Sequence, residues 1–180
     1  MKVHEEHRNE ANQKKEQKIA FIVVSTSRFE ELQGSKKTSD KTIPLVRELL
    51  ENKSNIYLNF TKIIPDSIDH IDLTLSECLS IPTIDAIIFS GGTGLSPKDL
   101  TYETVKPKLD KIIPGFGELF RFLSYKKIGS AAMLSRAIAG KIGNKAIFLI
   151  PGSPNAVKLA LLELILPELA HTTYIINKKE

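Results

Sequence analysis

Short apolar runs alternate along the chain with segments whose apolar residues recur every three or four positions. Each run is rich in β-branched or aromatic residues and is followed by polar residues or glycine, as in buried parallel strands. The predicted strands cover residues 19–24, 56–64, 85–89 and 146–150. Strands that alternate with helices in this way predict an α/β fold.

Helical spacing fills the intervals between these strands. The predicted helices cover residues 43–50, 68–79, 102–109, 116–123 and 156–166, and the last is broken by Pro167 and resumes toward Tyr174. Gly143-Asn144 predicts a hairpin between residues 135–142 and 146–150, and so one antiparallel strand. The expected architecture is a three-layer α/β/α domain with right-handed crossovers and a mixed, mostly parallel sheet.

The two ends of the chain are more polar than its body. Residues 1–17 are almost wholly polar, which predicts a disordered or peripheral arm in which His4 and His7 are solvated. A single domain is expected over residues 18–176, followed by a charged tail at 177–180. Residues 1–18 carry +1 and residues 178–180 another +1 of the net charge of +4. The body is therefore only weakly basic, and no nucleic-acid partner is expected.

The cysteine content and the hydropathy of the chain bear on its cellular location. Cys78 is the only cysteine, so it can form no internal disulfide, and we expect it to pack inside the helix at 68–79. No stretch is expected to be apolar for long enough to span a bilayer, and the N-terminus does not resemble a signal peptide. The sequence predicts a cytoplasmic protein without a membrane partner.

Polar loops follow the four predicted parallel strands. The carboxyl ends of such strands meet at one edge of a sheet, where ligands bind. The loops are Ser25-Thr26-Ser27-Arg28, Pro65-Asp66-Ser67, Ser90-Gly91-Gly92-Thr93-Gly94 and Pro151-Gly152-Ser153-Pro154. The glycines of the third loop allow backbone N–H groups to approach a phosphate, although a simple tight turn explains them equally well.

Two carboxylates and three arginines are the candidate charged groups near this edge. Asp66 and Asp99 could hold Mg²⁺ together with phosphate oxygens and water. Each also has a simpler interpretation, Asp66 as a helix cap and Asp99 as a solvated residue near a helix start. Arg28, Arg121 and Arg136 could bind phosphate or form structural ion pairs. No nucleophile, base and orienting group occur in series, which argues against a hydrolase triad.

Four motifs in order resemble the MoaB/MogA family of molybdenum cofactor biosynthesis proteins. They lie between the first strand and the final helix. The motifs are Ser90 to Gly94 with Asp99, Pro114-Gly115-Phe116-Gly117-Glu118, Ala131-Ala132-Met133-Leu134-Ser135-Arg136-Ala137 and Pro151-Gly152-Ser153.

The resemblance implies a homo-oligomer, with a hexamer favoured and a trimer possible, that binds molybdopterin and ATP. In active adenylyltransferases of the family, the terminal phosphate of molybdopterin attacks the α-phosphate of ATP with Mg²⁺ present, giving adenylyl-molybdopterin and pyrophosphate. The implied catalytic and Mg²⁺-binding residues are Asp66 and Asp99. The implied nucleotide contacts are Ser25, Ser27, Ser90, Gly91, Gly92, Thr93 and Gly94, and the implied molybdopterin contacts are Ser135, Arg136, Pro151, Gly152 and Ser153.

Departures from the family pattern leave alternatives open. The loop from Ser25 to Arg28 resembles the MoaB branch, where the MogA branch usually has an Asp, and Thr42 stands where many members have Gly. Some MoaB members lack the acid at the position of Asp66, so its presence favours an enzyme. The alternatives are a molybdopterin carrier and an oligomeric scaffold. The metal that is finally inserted, molybdenum or tungsten, stays open.

Overall fold

A six-stranded sheet is the middle layer of the structure, a computed structural model that describes residues 16–34 and 37–178. Its strands are β1 (Gln17–Val24), β2 (Ile56–Ile64), β3 (Ala86–Ser90), β4 (Lys111–Ile113), β5 (Ile138–Ile142) and β6 (Lys145–Ile150). They lie in the order β2-β1-β3-β6-β5-β4. The pairings among β2, β1, β3 and β6 are parallel, whereas β5 runs antiparallel to both β6 and β4. The predicted mixed sheet and its hairpin are confirmed.

Helices cover both faces of this sheet. They are α1 (Thr26–Gln33), α2 (Thr42–Glu51), α3 (Ile68–Ser80), α4 (Thr101–Val105), α5 (Pro114–Ile128), α6 (Pro154–Ala160) and α7 (Leu166–Asn177), with 3₁₀ turns at Lys106–Lys108 and Gly129–Leu134. Alternate residues of β1 point to opposite faces, because side chains alternate along a strand. Phe21 packs in a core with α2, α5, α6 and α7, whereas Ile22 packs in a second core with α3 and α4. The three-layer prediction is therefore confirmed.

The last helical run is continuous, so the predicted break at Pro167 is wrong. A π turn at Leu161–Ile165 joins α6 to α7, and Pro167 lies in the first turn of α7. Proline lacks an N–H, and its ring clashes with the carbonyl four residues earlier in a regular α-helix. The wider π turn coincides with the segment where that clash would occur, and the helix continues through it.

This continuity also corrects the expectation about apolar length. The run Pro154–Asn177 has 24 residues with a mean hydropathy of 1.4 over its most apolar window, so by length and composition it could cross a membrane. Its residues Val157, Leu161, Ile165 and Leu169 are buried in the core. Of the most apolar window, 39% is buried inside the protein, so packing in the core accounts for part of its apolar character.

Three segments differ from their predicted structure, and two of them, α1 and β4, contain no buried residue. Helix α1 was not predicted, and it contains no buried residue, so it leaves no apolar repeat in the sequence. Strand β4 was also not predicted, since it is three residues long and exposed at the sheet edge. Residues 135–137, predicted as strand, precede β5.

The first strand begins one residue before the predicted domain. Gln17, assigned to the polar arm, is buried in β1, and its Oε1 accepts a hydrogen bond of 2.7 Å from Thr173 Oγ1. Residues 1–15 of the predicted arm, with His4 and His7, and the last two residues of the predicted tail lie outside the described part of the chain.

Candidate active site at the carboxyl edge of the sheet

Hydrogen bonds join the loops at the carboxyl ends of the parallel strands. The Asp66 N–H donates to Thr26 Oγ1 at 3.1 Å, and Asp66 Oδ1 accepts from the Leu100 N–H at 3.0 Å. The Gly91 N–H donates to the Ile150 carbonyl at 3.0 Å. The structure therefore brings all four predicted loops to one edge of the sheet.

Close packing explains the glycines of the loop Ser90–Gly94, called the glycine loop below. Gly91 and Gly92 have positive φ values of 111° and 62°. A Cβ on Gly91 would collide with the Val24 carbonyl, and one on Gly152 would lie 3.1 Å from the Gly91 Cα. The loop is a tight turn, as one interpretation of the sequence held, and it leaves no room for a Cβ at Gly91 or Gly92.

The Asp66 carboxylate lies directly against the glycine loop. A Cβ on Gly92 would be 2.5 Å from Asp66 Oδ2. Burial raises the pKa of the Asp66 carboxyl; the Leu100 N–H opposes this effect, and the negative charges of Asp99 and Glu103 add to it. The predicted capping role of Asp66 is wrong, because Ser67 is the N-cap of α3.

The Asp99 carboxylate approaches the same loop two residues further along. A Cβ on Gly94 would be 2.7 Å from Asp99 Oδ2, and this oxygen also accepts a 2.9 Å hydrogen bond from the Ser96 N–H. Asp99 is half-buried. The two predicted acids therefore flank one short stretch of backbone.

Thr101 is a feature of this site that sequence reasoning missed. Its side chain is fully buried, and its Oγ1 has no hydrogen-bond partner among the described residues. A Cβ on Gly92 would collide with this hydroxyl as well as with Asp66. The only sequence signal for Thr101 is that it follows Asp99 by two residues.

The oxygen groups here fit a magnesium ion better than a zinc ion. Within the described residues, no cluster of three or more His, Cys, Asp or Glu side chains could hold a metal. Magnesium commonly takes one or two carboxylates and completes its shell with phosphate oxygens and water. Asp66 and Asp99 could supply two such carboxylates.

The predicted serine contacts have different surroundings. Ser25 and Ser27 lie at the start of α1 with their hydroxyls 3.3 Å apart, and the Ser25 N–H donates to the Ile64 carbonyl at 2.8 Å. Ser90 is fully buried, and its Oγ donates to the Pro151 carbonyl at 3.5 Å. The Ser90 side chain therefore joins two loops inside the protein.

Three of the predicted molybdopterin residues line cavities, and one of them, Arg136, also lines a cavity of about 250 Å³ together with Asp99. Ser135 and Arg136 line a cleft of about 400 Å³, whereas Ser153 lines one of about 440 Å³ between α5 and α6. Ser153 Oγ also caps α6 by accepting from the Ala156 N–H at 3.3 Å.

The three candidate arginines all have partners within the chain. Arg28 forms a 3.2 Å ion pair with Asp40, and Arg121 donates to the Ser135 carbonyl at 3.4 Å. Arg136 donates to both carboxylate oxygens of Glu103. Arg28 therefore has a structural role, since Asp40 itself accepts from the N–H groups at the start of α2.

Comparison with known proteins shows which family this chain resembles. A family described as "Probable molybdopterin binding domain" matches residues 20–171. The Molybdenum cofactor biosynthesis protein B of Halalkalibacterium halodurans is 44% identical over 168 residues, covering 93% of each chain. The protein of that name from Bacillus cereus is 40% identical over 97% of this chain and 98% of its own.

Solved structures of similar proteins have the same fold. A crystal structure of a Molybdenum cofactor biosynthesis protein B superposes with a TM-score of 0.82 at 40% identity, covering 92% of this chain and 98% of that one. The tungsten cofactor synthesizing protein MoaB from Pyrococcus furiosus superposes with a TM-score of 0.78 at 34% identity, covering 92% and 99%. The motifs, the fold and these matches together show that the chain belongs to the MoaB/MogA family of molybdenum cofactor biosynthesis proteins.

Proposed function

We propose that this protein transfers AMP from ATP to the terminal phosphate of molybdopterin in a Mg²⁺-dependent reaction of molybdenum or tungsten cofactor biosynthesis. Pyrophosphate is the second product. The observation that carries the proposal is the position of Asp66 and Asp99, whose carboxylates pack against Gly92 and Gly94 of one loop.

The chain's own groups suit a reaction that depends on positioning and charge. Asp66 and Asp99 would hold Mg²⁺, which would neutralise negative charge on the phosphates. Burial raises the pKa of the Asp66 carboxyl, which means that the ionised form is disfavoured in this position. A bound cation would stabilise the ionised form. Backbone N–H groups of the glycine loop would orient phosphate oxygens. The attacking group belongs to molybdopterin, so no side-chain nucleophile is required.

The proposed site for molybdopterin is the cleft whose lining includes Arg136, the residue that donates to the Thr93 carbonyl of the glycine loop. It is lined by Tyr102, Arg121, Ser135 and Arg136, among others, and its volume is about 400 Å³. Gly152 packs against Gly91, so the Pro151-Gly152-Ser153 segment borders the same loop from the other side. Both predicted molybdopterin segments therefore adjoin the proposed nucleotide site.

We also propose that the chain forms a homo-oligomer, for which the family resemblance favours a hexamer over a trimer, and an exposed apolar surface supports self-association. Its side chains lie on α5 and in the 3₁₀ turn that follows, and each is more than half exposed. They are Leu119, Phe122, Tyr125, Ile128, Met133 and Leu134. Large exposed apolar patches commonly mark protein interfaces. Sedimentation velocity would measure the assembly, and replacing Phe122 and Ile128 by Ser should dissociate it.

Pyrophosphate release from Mg-ATP in the presence of molybdopterin tests the proposed reaction. Asp66→Asn and Asp99→Asn should each abolish release while leaving the chain folded. Asp72→Asn is the control, because it removes an exposed carboxylate that pairs with Lys108 at 3.0 Å on another surface. Molybdopterin binding without any release from the parent chain would instead favour the carrier function.

A further inference from the structure

The carbonyls of two successive residues in the glycine loop are held by donors from elsewhere in the chain. The Gly92 carbonyl accepts from the Thr101 N–H at 2.9 Å, and the Thr93 carbonyl accepts from Arg136 Nε at 3.1 Å. In a trans peptide the N–H points away from the C=O. These two bonds therefore turn the N–H groups of Thr93 and Gly94 toward the opposite side. Neither N–H has an acceptor within residues 16–34 and 37–178.

The two anchors differ in what holds them. The first is a backbone bond to the start of α4, but the second depends on one side chain that is 43 residues away in sequence. Arg136 donates to both carboxylate oxygens of Glu103, one of them at 3.1 Å, and its guanidinium lies 4.6 Å from the centre of the Tyr102 ring. The guanidinium is rigid and planar, so these contacts also fix the direction of Nε.

We propose that Arg136 is a positioning residue, which aligns the Gly94 N–H for an anionic ligand through the Thr93 carbonyl and is itself held by Glu103 and Tyr102. This role differs from the direct molybdopterin contact that the family resemblance implies. Glu103 already neutralises the guanidinium, and a phosphate would have to displace two charge-assisted hydrogen bonds to reach it. The identity of the ligand rests on the proposed function, but the alignment is a property of the ligand-free chain.

The direct and the positioning roles predict different effects of Glu103→Gln. If Arg136 bound a nucleotide phosphate directly, removing the Glu103 charge would free it, and Mg-ATP would bind more tightly. If Arg136 contacted molybdopterin alone, the affinity for Mg-ATP would not change. In the positioning role Arg136 loses its support, and the affinity for Mg-ATP should fall about tenfold, as expected for one weakened hydrogen bond to an anion. Arg136→Lys should lose at least as much, because an ammonium keeps the charge but lacks the planar fork.

The experiment combines calorimetric titration of Mg-ATP with NMR of the Gly94 amide in the ligand-free protein. Glu77→Gln is the matched control, since it removes a carboxylate of similar exposure that pairs with Lys62 at 2.7 Å. Glu103→Gln and Arg136→Lys should both shift the Gly94 amide resonance, whereas Glu77→Gln should not.

An unchanged Gly94 amide in both variants, or Mg-ATP affinity that is unchanged or higher in Glu103→Gln, would overturn the positioning role. If the parent chain does not bind Mg-ATP, the proposed function fails, and the Gly94 amide still decides whether Arg136 positions the loop. The two proposals can therefore fail separately.

Discussion

The two edges of the parallel sheet differ in the hydrogen bonding of their buried polar groups. At the amino edge Lys145 is 2% exposed, and its Nζ donates to the carbonyls of Ile81 and Ile84 at 2.7 and 2.6 Å. Asp85 beside it accepts from the Lys18 N–H at 2.8 Å. At the carboxyl edge the Thr101 hydroxyl is fully buried and has no partner among the described residues.

This difference separates structural polar groups from groups that are available to a ligand. A buried polar atom without a partner costs about 1–3 kcal/mol, so folding alone gives no reason to keep one. The amino edge avoids this cost with internal hydrogen bonds. At the carboxyl edge the unpaired hydroxyl lies next to two acids. This arrangement supports a binding site in which a bound group would supply the missing hydrogen bond.

The largest expected effect is loss of activity in Gly92→Ala. A Cβ there would displace the Asp66 carboxylate and the Thr101 hydroxyl, and misplacing catalytic groups by about 1 Å can lower a rate by about 100-fold. Pyrophosphate release per folded molecule measures the effect. Gly143→Ala is the control, because Gly143 also has a positive φ of 57° but no atom within 4 Å of its Cβ position. An active Gly92→Ala protein would show that the packing of these groups does not matter.

The next effect should appear at the amino edge, and in stability alone. Lys145→Met keeps most of the buried stem but leaves the carbonyls of Ile81 and Ile84 without this donor. The free energy of unfolding should fall by about 2 kcal/mol, with kcat/KM unchanged, as urea denaturation and pyrophosphate release would measure. Lys53→Met changes an exposed lysine and serves as the control. A loss of activity at unchanged stability would contradict the separation of the two edges.

Thr101→Val should have the opposite signature. Valine has nearly the same shape and lacks the buried hydroxyl that has no partner, so the free energy of unfolding should stay constant or rise by up to about 1 kcal/mol. Activity should fall, and Thr101→Ser should recover it. Destabilisation of Thr101→Val with full activity would mean that the hydroxyl serves the fold.

The smallest expected effect is a pH-dependent stabilisation by Asp66→Asn. Burial raises the pKa of the Asp66 carboxyl in the folded chain, so ionisation of this group opposes folding. The protonated carboxyl stabilises the folded chain. This stabilisation is complete below the unfolded-state pKa of about 3.9 and is lost as the pH rises through the folded-state pKa. Asp66→Asn should therefore exceed the parent in stability by less than about 1 kcal/mol at pH 7, and the difference should disappear near pH 3. Thermal unfolding at both pH values measures it, and an equal difference at both would contradict this cause.

Some features of the candidate site could be predicted from local sequence. Asp66 and the glycine loop closely follow apolar runs, and the end of a buried parallel strand leads to the same edge wherever the helices pack. The partners of Arg136 could not be predicted, because Glu103 and Thr93 lie far from it along the chain and meet it only after β3, α4 and β5 are in place.

The sequence by itself determined the central strands, because β1, β3 and β6 are buried on both faces and a continuous apolar run encodes that burial. It did not determine α1, β4 or the passage of the last helix through Pro167, since their surroundings rather than their own residue patterns stabilise them. Tertiary structure alone decided which polar groups would be satisfied. Hydrogen-bond partners are set by distance in space, and residues such as Lys145 and Ile81 become neighbours only when the sheet forms.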